Sequence, residues 1–297
     1  LATHGRGVWI LDNLNALQEW ESNKAVQLFS IPRAQMINYT RKGAHVGDMI
    51  FRGENPRRGA VIDYYLKDAV AKDDISLNIK TLDGELVRKI SADTTMGINR
   101  VYWDFNHEAF PSAPRNPKAK EEGASRRWRS RGMSGPMADP GRYIAELEVN
   151  GKIYQQSFLI EDDPRVDVDL AVRKAWTKEL FKIGDLYGQI VKDMKVVRPL
   201  MWKMEALQEE KKTINEAASA EIKELNRMYD ELLSRTGSVY RQLGGWMGPM
   251  TADQASQLSY YSATRSKLVK RTEKLMDEMI PKWNKKLDKE DRFVSQQ

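Results

Sequence analysis

The pattern of hydrophobic and polar positions changes its period near Pro164. Before Pro164, apolar residues alternate with polar ones over short runs separated by Gly, Pro, Asn and Asp, which is typical of β-strands. After Pro164, apolar residues return every three or four positions almost to the end of the chain, which predicts long helices. The sequence therefore predicts a short opening segment over 1–22, a β region over 23–164 and a helical region over 165–297.

The β region contains short runs rich in β-branched and aromatic residues. These predict strands at Gly7–Asp12, Val26–Ile31, Ala60–Leu66, Ile75–Thr81, Glu85–Ser91, Asn99–Phe105, Tyr143–Val149 and Lys152–Ile160. Asp83-Gly84 and Asn150-Gly151 predict hairpin turns, and the second signal is stronger because a type I′ turn needs positive φ at both central residues. Ile153 and Phe158 differ in parity, which is the pattern of a bulge between them. Short strands joined by such turns predict a β-sandwich.

The helical region contains three apolar seams with a spacing of about 3.5 residues, the period of coiled coils. The first runs from Trp176 to Met204, the second from Ile214 to Leu232, and the third from Leu258 to Trp283. Short connections predict an antiparallel three-helix bundle. Pro199 lies within the first seam and is expected to kink or split that helix. The residues expected to be buried in the bundle include Trp176, Ile183, Leu225, Leu268 and Leu275.

Composition adds few constraints on function. The chain has 297 residues, of which 41% are hydrophobic and 30% charged, and its net charge of +6 is too mild to indicate a nucleic-acid partner. There is no Cys, which excludes disulfides and thiolate chemistry. No apolar run approaches the ~20 residues of a membrane-spanning helix, so no membrane span is expected.

Candidate catalytic chemistry is sparse. The three histidines, His4, His45 and His107, do not have the spacing of a zinc site, and no motif of a nucleophile or phosphate loop occurs. The acidic residues over 161–169 allow a calcium site. They fit a linker with helix-capping acids better, because no glycine-containing loop folds them around one point. The sequence therefore predicts no catalytic residue, no metal and no cofactor.

A long basic loop over 107–140 is rich in Pro, Gly, Ser and Arg and has no apolar period. Its densest part is a cluster of arginines around one tryptophan, formed by Arg126, Arg127, Trp128, Arg129 and Arg131. Such a cluster can bind phosphates, a base or a sugar ring. Charge runs in loops of this kind are more often simply solvated. A solvated tether is therefore the favoured interpretation, and the cluster is kept as a candidate partner-docking loop.

The opening segment THGRGVWILDNLNAL resembles the closing hairpin of the β-propellers in large exported bacterial proteins with sortilin-like, neuraminidase-type (Asp-box) repeats. These proteins are often labelled glycosyl hydrolases. The resemblance continues through ENPRRGAVIDYYLKD, GINRVYWDFNH, PGRYIAELEVNGKIYQQSFLIEDDPR and the helical tail, and so covers nearly the whole chain. The Asp-box repeats themselves are absent from it.

This resemblance implies an α+β multidomain fold. It comprises the end of a propeller hairpin over 1–22, an immunoglobulin-like or FlgD-like β-sandwich over 23–164, and the bundle over 165–297. The candidate propeller-closure turn consists of His4, Gly5, Arg6 and Gly7. The segment Leu1–Asp12 is then expected to pair with a strand outside this chain, since its apolar edge would otherwise favour aggregation.

Three functions are compatible with these observations. The first is a non-catalytic C-terminal structural and interaction region of an exported protein, which supports the propeller and docks other protein subunits. The second is an accessory region of a glycan-active glycoside hydrolase whose active site lies in the propeller. The third is a polyanion-binding module that uses the Arg-rich loop. Whether the parent protein is an enzyme is left open by the sequence, and export is implied only by the resemblance.

Overall fold

The structure is a computed structural model that describes residues 2–3, 7–8, 13–37, 55–116, 132–210, 212 and 214–293. The chain is a mixed α and β protein and divides into two compact units, as the coarse expectation of an α+β multidomain fold requires. The sheet unit comprises Leu1–Glu108 and Met137–Leu170, and the helical unit comprises Ala109–Pro136 and Ala171–Gln297. Residues 109–116 and 132–136 of the basic loop therefore group with the helices, while its two ends group with the sheets. The predicted boundaries at 22/23 and 164/165 stay predictions.

Ten strands lie in the described residues of the sheet unit. They are β1 (Ala2–Thr3), β2 (Gly7–Val8), β3 (Val26–Leu28), β4 (Ala34–Gln35), β5 (Ala60–Leu66), β6 (Ile75–Thr81), β7 (Leu86–Ile90), β8 (Gly97–Trp103), β9 (Gly141–Val149) and β10 (Lys152–Glu161). A five-stranded sheet has the order β4-β10-β9-β6-β7, a three-stranded sheet has the order β3-β5-β8, and β1 pairs with β2. Helix α1 (Asn15–Glu19) precedes β3.

The two larger sheets share one hydrophobic core, as two packed sheets should. Trp103 of β8 is 1% exposed and lies at its centre. The Trp103 ring meets the rings of Tyr143 and Phe158 from the other sheet at centroid distances of 5.3 and 6.0 Å. The Trp103 indole N–H donates to the backbone carbonyl of Asn106 at 2.9 Å, so its polar atom is satisfied inside the core.

The hairpin between β9 and β10 has the predicted turn, with φ of 50° at Asn150 and 77° at Gly151. The predicted bulge after it is wrong, because the register of β9 and β10 runs without a shift from Lys152 opposite Val149 to the far end. Ile153 simply faces away from the core and is 60% exposed. A register shift occurs instead between β6 and β7, at Ile79 and Lys80.

The helical unit contains α2 (Leu170–Glu209, which begins at the last residue of the sheet unit), α3 (Glu216–Gly244), α4 (Ala252–Lys274) and α5 (Ile280–Asn284). At ~1.5 Å per residue, α2 is about 60 Å long. It runs through Pro199 as one helix, so the expectation of a split is wrong, while a kink at Pro199 stays a prediction. Val197 and Leu200 pack into the core on both sides of the proline and keep the helix intact despite one missing backbone hydrogen bond.

The third seam is confirmed with one change. Thr251 caps α4 in a reciprocal capping box with Gln254. A π-helical turn, Leu275–Met279, then separates α4 from α5. It lies just before Pro281, whose ring would clash with the carbonyl four residues earlier in a regular α-helix, so the wider turn accommodates the proline.

One hydrophobic core joins the helices of this unit. All five residues expected to be buried there are confirmed: Trp176, Ile183, Leu225, Leu268 and Leu275 are at most 3% exposed. Two arginines of α4 cross to neighbouring helices, Arg265 to Asp193 at 2.7 Å and Arg271 to Glu221 at 2.9 Å. Among the described residues, no helix is long and apolar enough to span a membrane.

Candidate functional site

An apolar surface lies on the outer face of the three-stranded sheet, and we call it the outer patch. It consists of Leu14, Leu17, Trp20, Tyr65 and Ile98. Leu17 is 61% exposed, and Trp20 and Ile98 are each more than two-fifths exposed. The Trp20 ring meets the Tyr65 ring edge to face at 5.8 Å, and Tyr65 lies opposite Ile98 in the register of β5 and β8. These contacts join Trp20, Tyr65 and Ile98, and Leu14 and Leu17 precede Trp20 at a spacing of three residues. Exposed apolar side chains grouped in this way are typical of an interaction surface.

The segment that carries the outer patch is fixed to the sheet by buried polar contacts. Asp63 is 6% exposed and accepts two hydrogen bonds of 2.8 Å from Arg100. This hydrogen bonding raises the pKa of Arg100 above its ordinary value. Arg100 also donates to the backbone carbonyl of Asn13 at 3.2 Å, and the Glu19 carboxylate of α1 accepts from the Ser30 N–H at 2.9 Å. The patch is therefore presented on a rigid support.

A second surface is formed where two described segments of the basic loop, residues 109–116 and 132–136, pack on the helices. We call these two segments the strap. The Phe110 N–H donates to the Met133 carbonyl at 2.8 Å, which joins the two ends of the strap. The Tyr240 hydroxyl of α3 donates to the Ser134 carbonyl at 2.8 Å, and burial raises the Tyr240 pKa. The Phe110 ring meets those of Phe181 and Tyr240 edge to face.

Two glycines inside α2 explain where the strap packs. Gly184 lies under the Phe110 ring, and a Cβ atom at Gly184 would overlap that ring. Gly188, one turn later, lies under Pro111, whose Cγ would be 3.6 Å from an added Cβ. A glycine in a helix interior costs about 1 kcal/mol relative to alanine. Here the missing side chain at Gly184 makes room for an aromatic ring.

The site residues predicted from the sequence are mostly not described. Arg126, Arg127, Trp128, Arg129 and Arg131 lie outside the described residues, as do His4, Gly5 and Arg6. Gly7 is described and begins β2, which pairs with β1. The expected pairing of Leu1–Asp12 with a strand from elsewhere therefore stays a prediction, and so do the candidate docking loop and the closure turn.

The described residues contain no group of three or more His, Asp or Glu side chains arranged to hold a metal ion. In the acidic run, Asp163 is 4% exposed and pairs with the side chain of Arg165, and Glu161 pairs with Arg33. These contacts suit a structural linker. Burial lowers the pKa of His107 below its ordinary value, and the nearby Asp139 carboxylate partly offsets this effect.

Sequence reasoning missed both surfaces. Gly184 and Gly188 in a strong helical seam were the available signal for the strap, because helix interiors disfavour glycine. Leu14, Leu17 and Trp20 recur every three residues, which was the signal for the outer patch. The helix between Leu14 and Trp20 has only five residues. Hydrophobic periodicity over so short a helix cannot distinguish an exposed apolar stripe from a buried one.

Comparison with known proteins adds no assignment. No family model matches the chain. No curated protein matches it. Among solved structures it is similar to CopC from Methylosinus trichosporium OB3b, with 12% sequence identity over 37% of this chain and 86% of that chain. The TM-score of this match is 0.18, so it carries no argument about fold or function.

Proposed function

We propose that this chain is the non-catalytic C-terminal structural and interaction region of a large exported protein with a sortilin-like, neuraminidase-type β-propeller. In this proposal the propeller packs on the outer patch. The observation that carries it is the patch itself, a group of exposed apolar side chains that includes the 61% exposed Leu17.

The position of the outer patch along the chain supports a propeller as its occupant. By resemblance, the propeller closes at the turn His4 to Gly7, and β2 follows at Gly7–Val8. Asn15, where α1 begins, is only seven positions after Val8, and a chain of that length can span at most about 25 Å. A propeller that contained the closing hairpin would therefore lie beside α1, next to Leu14 and Leu17.

The rest of the chain then acts as a scaffold. We propose that the two packed sheets are an immunoglobulin-like sandwich and that the helical unit docks further protein subunits. The Arg-rich cluster at 126–131 is the proposed docking element, because the two hydrogen-bonded segments of the strap that flank it in sequence pack on the helices. Acidic side chains of a partner would complement its charge. Export belongs to the same proposal, since it rests on the same resemblance.

The test is binding between this chain and the propeller of the same protein, produced as separate polypeptides and measured by calorimetry. Leu17→Asp should weaken binding at least about 10-fold, because it places a charge at the centre of a desolvated apolar contact. Ile153→Asp is the matched control, since Ile153 is 60% exposed but lies on the five-stranded sheet. The proposal is wrong if the wild-type chain does not bind the propeller, or if both variants bind equally well.

A further inference from the structure

We propose that a cleft of the sheet unit binds a small multivalent oxyanion. The cleft has a volume of about 420 Å³ and lies between β4 and the residues that lead into β5. Its polar lining includes Arg33, Arg57, Arg58, Gln35 and Asn13. Nothing in the proposed function depends on this cleft.

The charge of the cleft is strongly one-sided. Three guanidinium groups line it, and none of its described lining residues is Asp or Glu. One carboxylate, that of Glu161 on β10, reaches the Arg33 Nη1 at 3.2 Å. The Arg33 side chain is 68% exposed in this pair, so solvent screens the interaction and a stronger anion can compete for Arg33.

Two of the arginines are also restrained by neighbouring side chains. The Arg57 guanidinium carbon lies over the Tyr102 ring, 4.4 Å from its centroid, in a cation–π contact. Arg58 is half-buried, and its Nη2 contacts the Met137 Sδ at 3.5 Å. Guanidinium groups fixed by stacking and packing lose less conformational entropy when they bind an anion.

The donors define the class of ligand. Arginine has only N–H donors in a rigid fork that matches carboxylate and phosphate oxygens, and the amides of Gln35 and Asn13 can add further donors. Such a lining favours a ligand rich in acceptor oxygens and carrying at least two negative charges. The shared chemistry is a phosphate group or a cluster of carboxylates, and the two are distinguished by experiment.

Calorimetric titration of the whole chain at low ionic strength tests this proposal with inorganic phosphate and citrate, and with acetate as a monovalent control. At least one of the two multivalent anions should bind with 1:1 stoichiometry and about 10-fold or more tighter than acetate. Binding of phosphate alone assigns the cleft to phosphoryl groups, and binding of citrate alone assigns it to polycarboxylates. Binding of neither overturns the proposal.

Variants locate the binding. Arg57→Gln and Arg33→Gln should each weaken binding about 10-fold, the effect of losing one charge-assisted hydrogen bond. Arg142→Gln removes the same charge from an exposed position on β9 that does not line the cleft, and it should leave binding unchanged. Equal weakening by Arg142→Gln would show nonspecific attraction to a basic protein, and the proposal would be wrong.

Discussion

Two apolar surfaces of this protein differ in what covers them. The α2 face at Gly184 and Gly188 is covered by the strap, whose Phe110 ring packs directly on it. The outer patch of the sheet unit, in contrast, exposes Leu17, Trp20 and Ile98. The α2 face is therefore covered within the chain. The outer patch is also apolar but is exposed, and this difference makes the outer patch the candidate contact surface for a partner.

The largest effect is expected from removing the Phe110 ring, which packs on α2. Phe110→Ala should destabilise the helical unit by about 2 kcal/mol, less than the 3–5 kcal/mol of a fully buried phenylalanine, because Phe110 is only partly buried. Urea unfolding followed by helical circular dichroism measures this. Leu82→Ala, at a residue 58% exposed in the sheet unit, is the control and should cost under about 0.5 kcal/mol. If Phe110→Ala lowers the free energy of unfolding by an equally small amount, the packing of Phe110 on α2 does not stabilise the helical unit.

A second experiment tests whether the glycine and the ring are complementary. Gly184→Ala should destabilise the wild-type protein by about 1–2 kcal/mol, because the added methyl group overlaps the Phe110 ring. In the Phe110→Ala background the same change should instead stabilise by up to about 1 kcal/mol, through helix propensity.

Gly188→Ala is the matched control for that reversal. Its Cβ would lie at an ordinary contact distance of 3.6 Å from Pro111, so it should stabilise the helical unit by roughly 0.5–1 kcal/mol in either background. Unfolding curves of the five variants measure all of these effects. If Gly184→Ala changes the free energy of unfolding in the same direction in both backgrounds, the Phe110 ring is not the reason for a glycine at position 184.

The five-stranded sheet provides a third kind of surface, polar and internally satisfied. On β9, Glu146 faces away from the core and accepts from Lys80 at 2.7 Å and from Gln155 at 2.8 Å. The Lys80 hydrogen bond lowers the Glu146 pKa below its ordinary value of 4.5. The unfolded chain therefore binds this proton more readily, and the stability that Glu146 contributes is present above pH 4.5 and lost as pH falls through the lower folded pKa.

Glu146→Gln tests this dependence. Between pH 6 and pH 3, the wild-type protein should lose about 1 kcal/mol more of its free energy of unfolding than the variant, the order of one charge-assisted hydrogen bond. Chemical unfolding at each pH, followed by tryptophan fluorescence, provides the measurement. Parallel pH profiles for the two proteins would contradict the role given to Glu146.

The smallest effect is expected on the open surface. Leu17→Ser should change the free energy of unfolding of the isolated chain by under about 0.5 kcal/mol, because the side chain is already 61% exposed. It should also reduce self-association, measured by analytical ultracentrifugation. A loss above about 1 kcal/mol would mean that the outer patch is covered within this chain, and the contrast with the strap would fail.

Local chemistry made much of this fold predictable. The Asn150-Gly151 turn and the seam from Trp176 to Met204 follow from φ preferences and helical period, which depend on near neighbours only. The strap was not predictable in this way. Its place depends on contacts between Phe110 and residues of α2 and α3 that are more than 70 positions away, and the loop itself has no period. The false bulge had a similar cause, since parity alone did not show that Ile153 faces outwards.

The division of the chain has a consequence for synthesis on the ribosome. The strap, residues 109–116 and 132–136, is made before β9 and β10, yet it packs with helices that are made after it. The five-stranded sheet can be completed only once β9 and β10 have emerged, while Phe110 must wait for α2 and α3. Folding of the two units is therefore interleaved in time, and the strap stays exposed to chaperones and proteases until most of the helical unit has been translated.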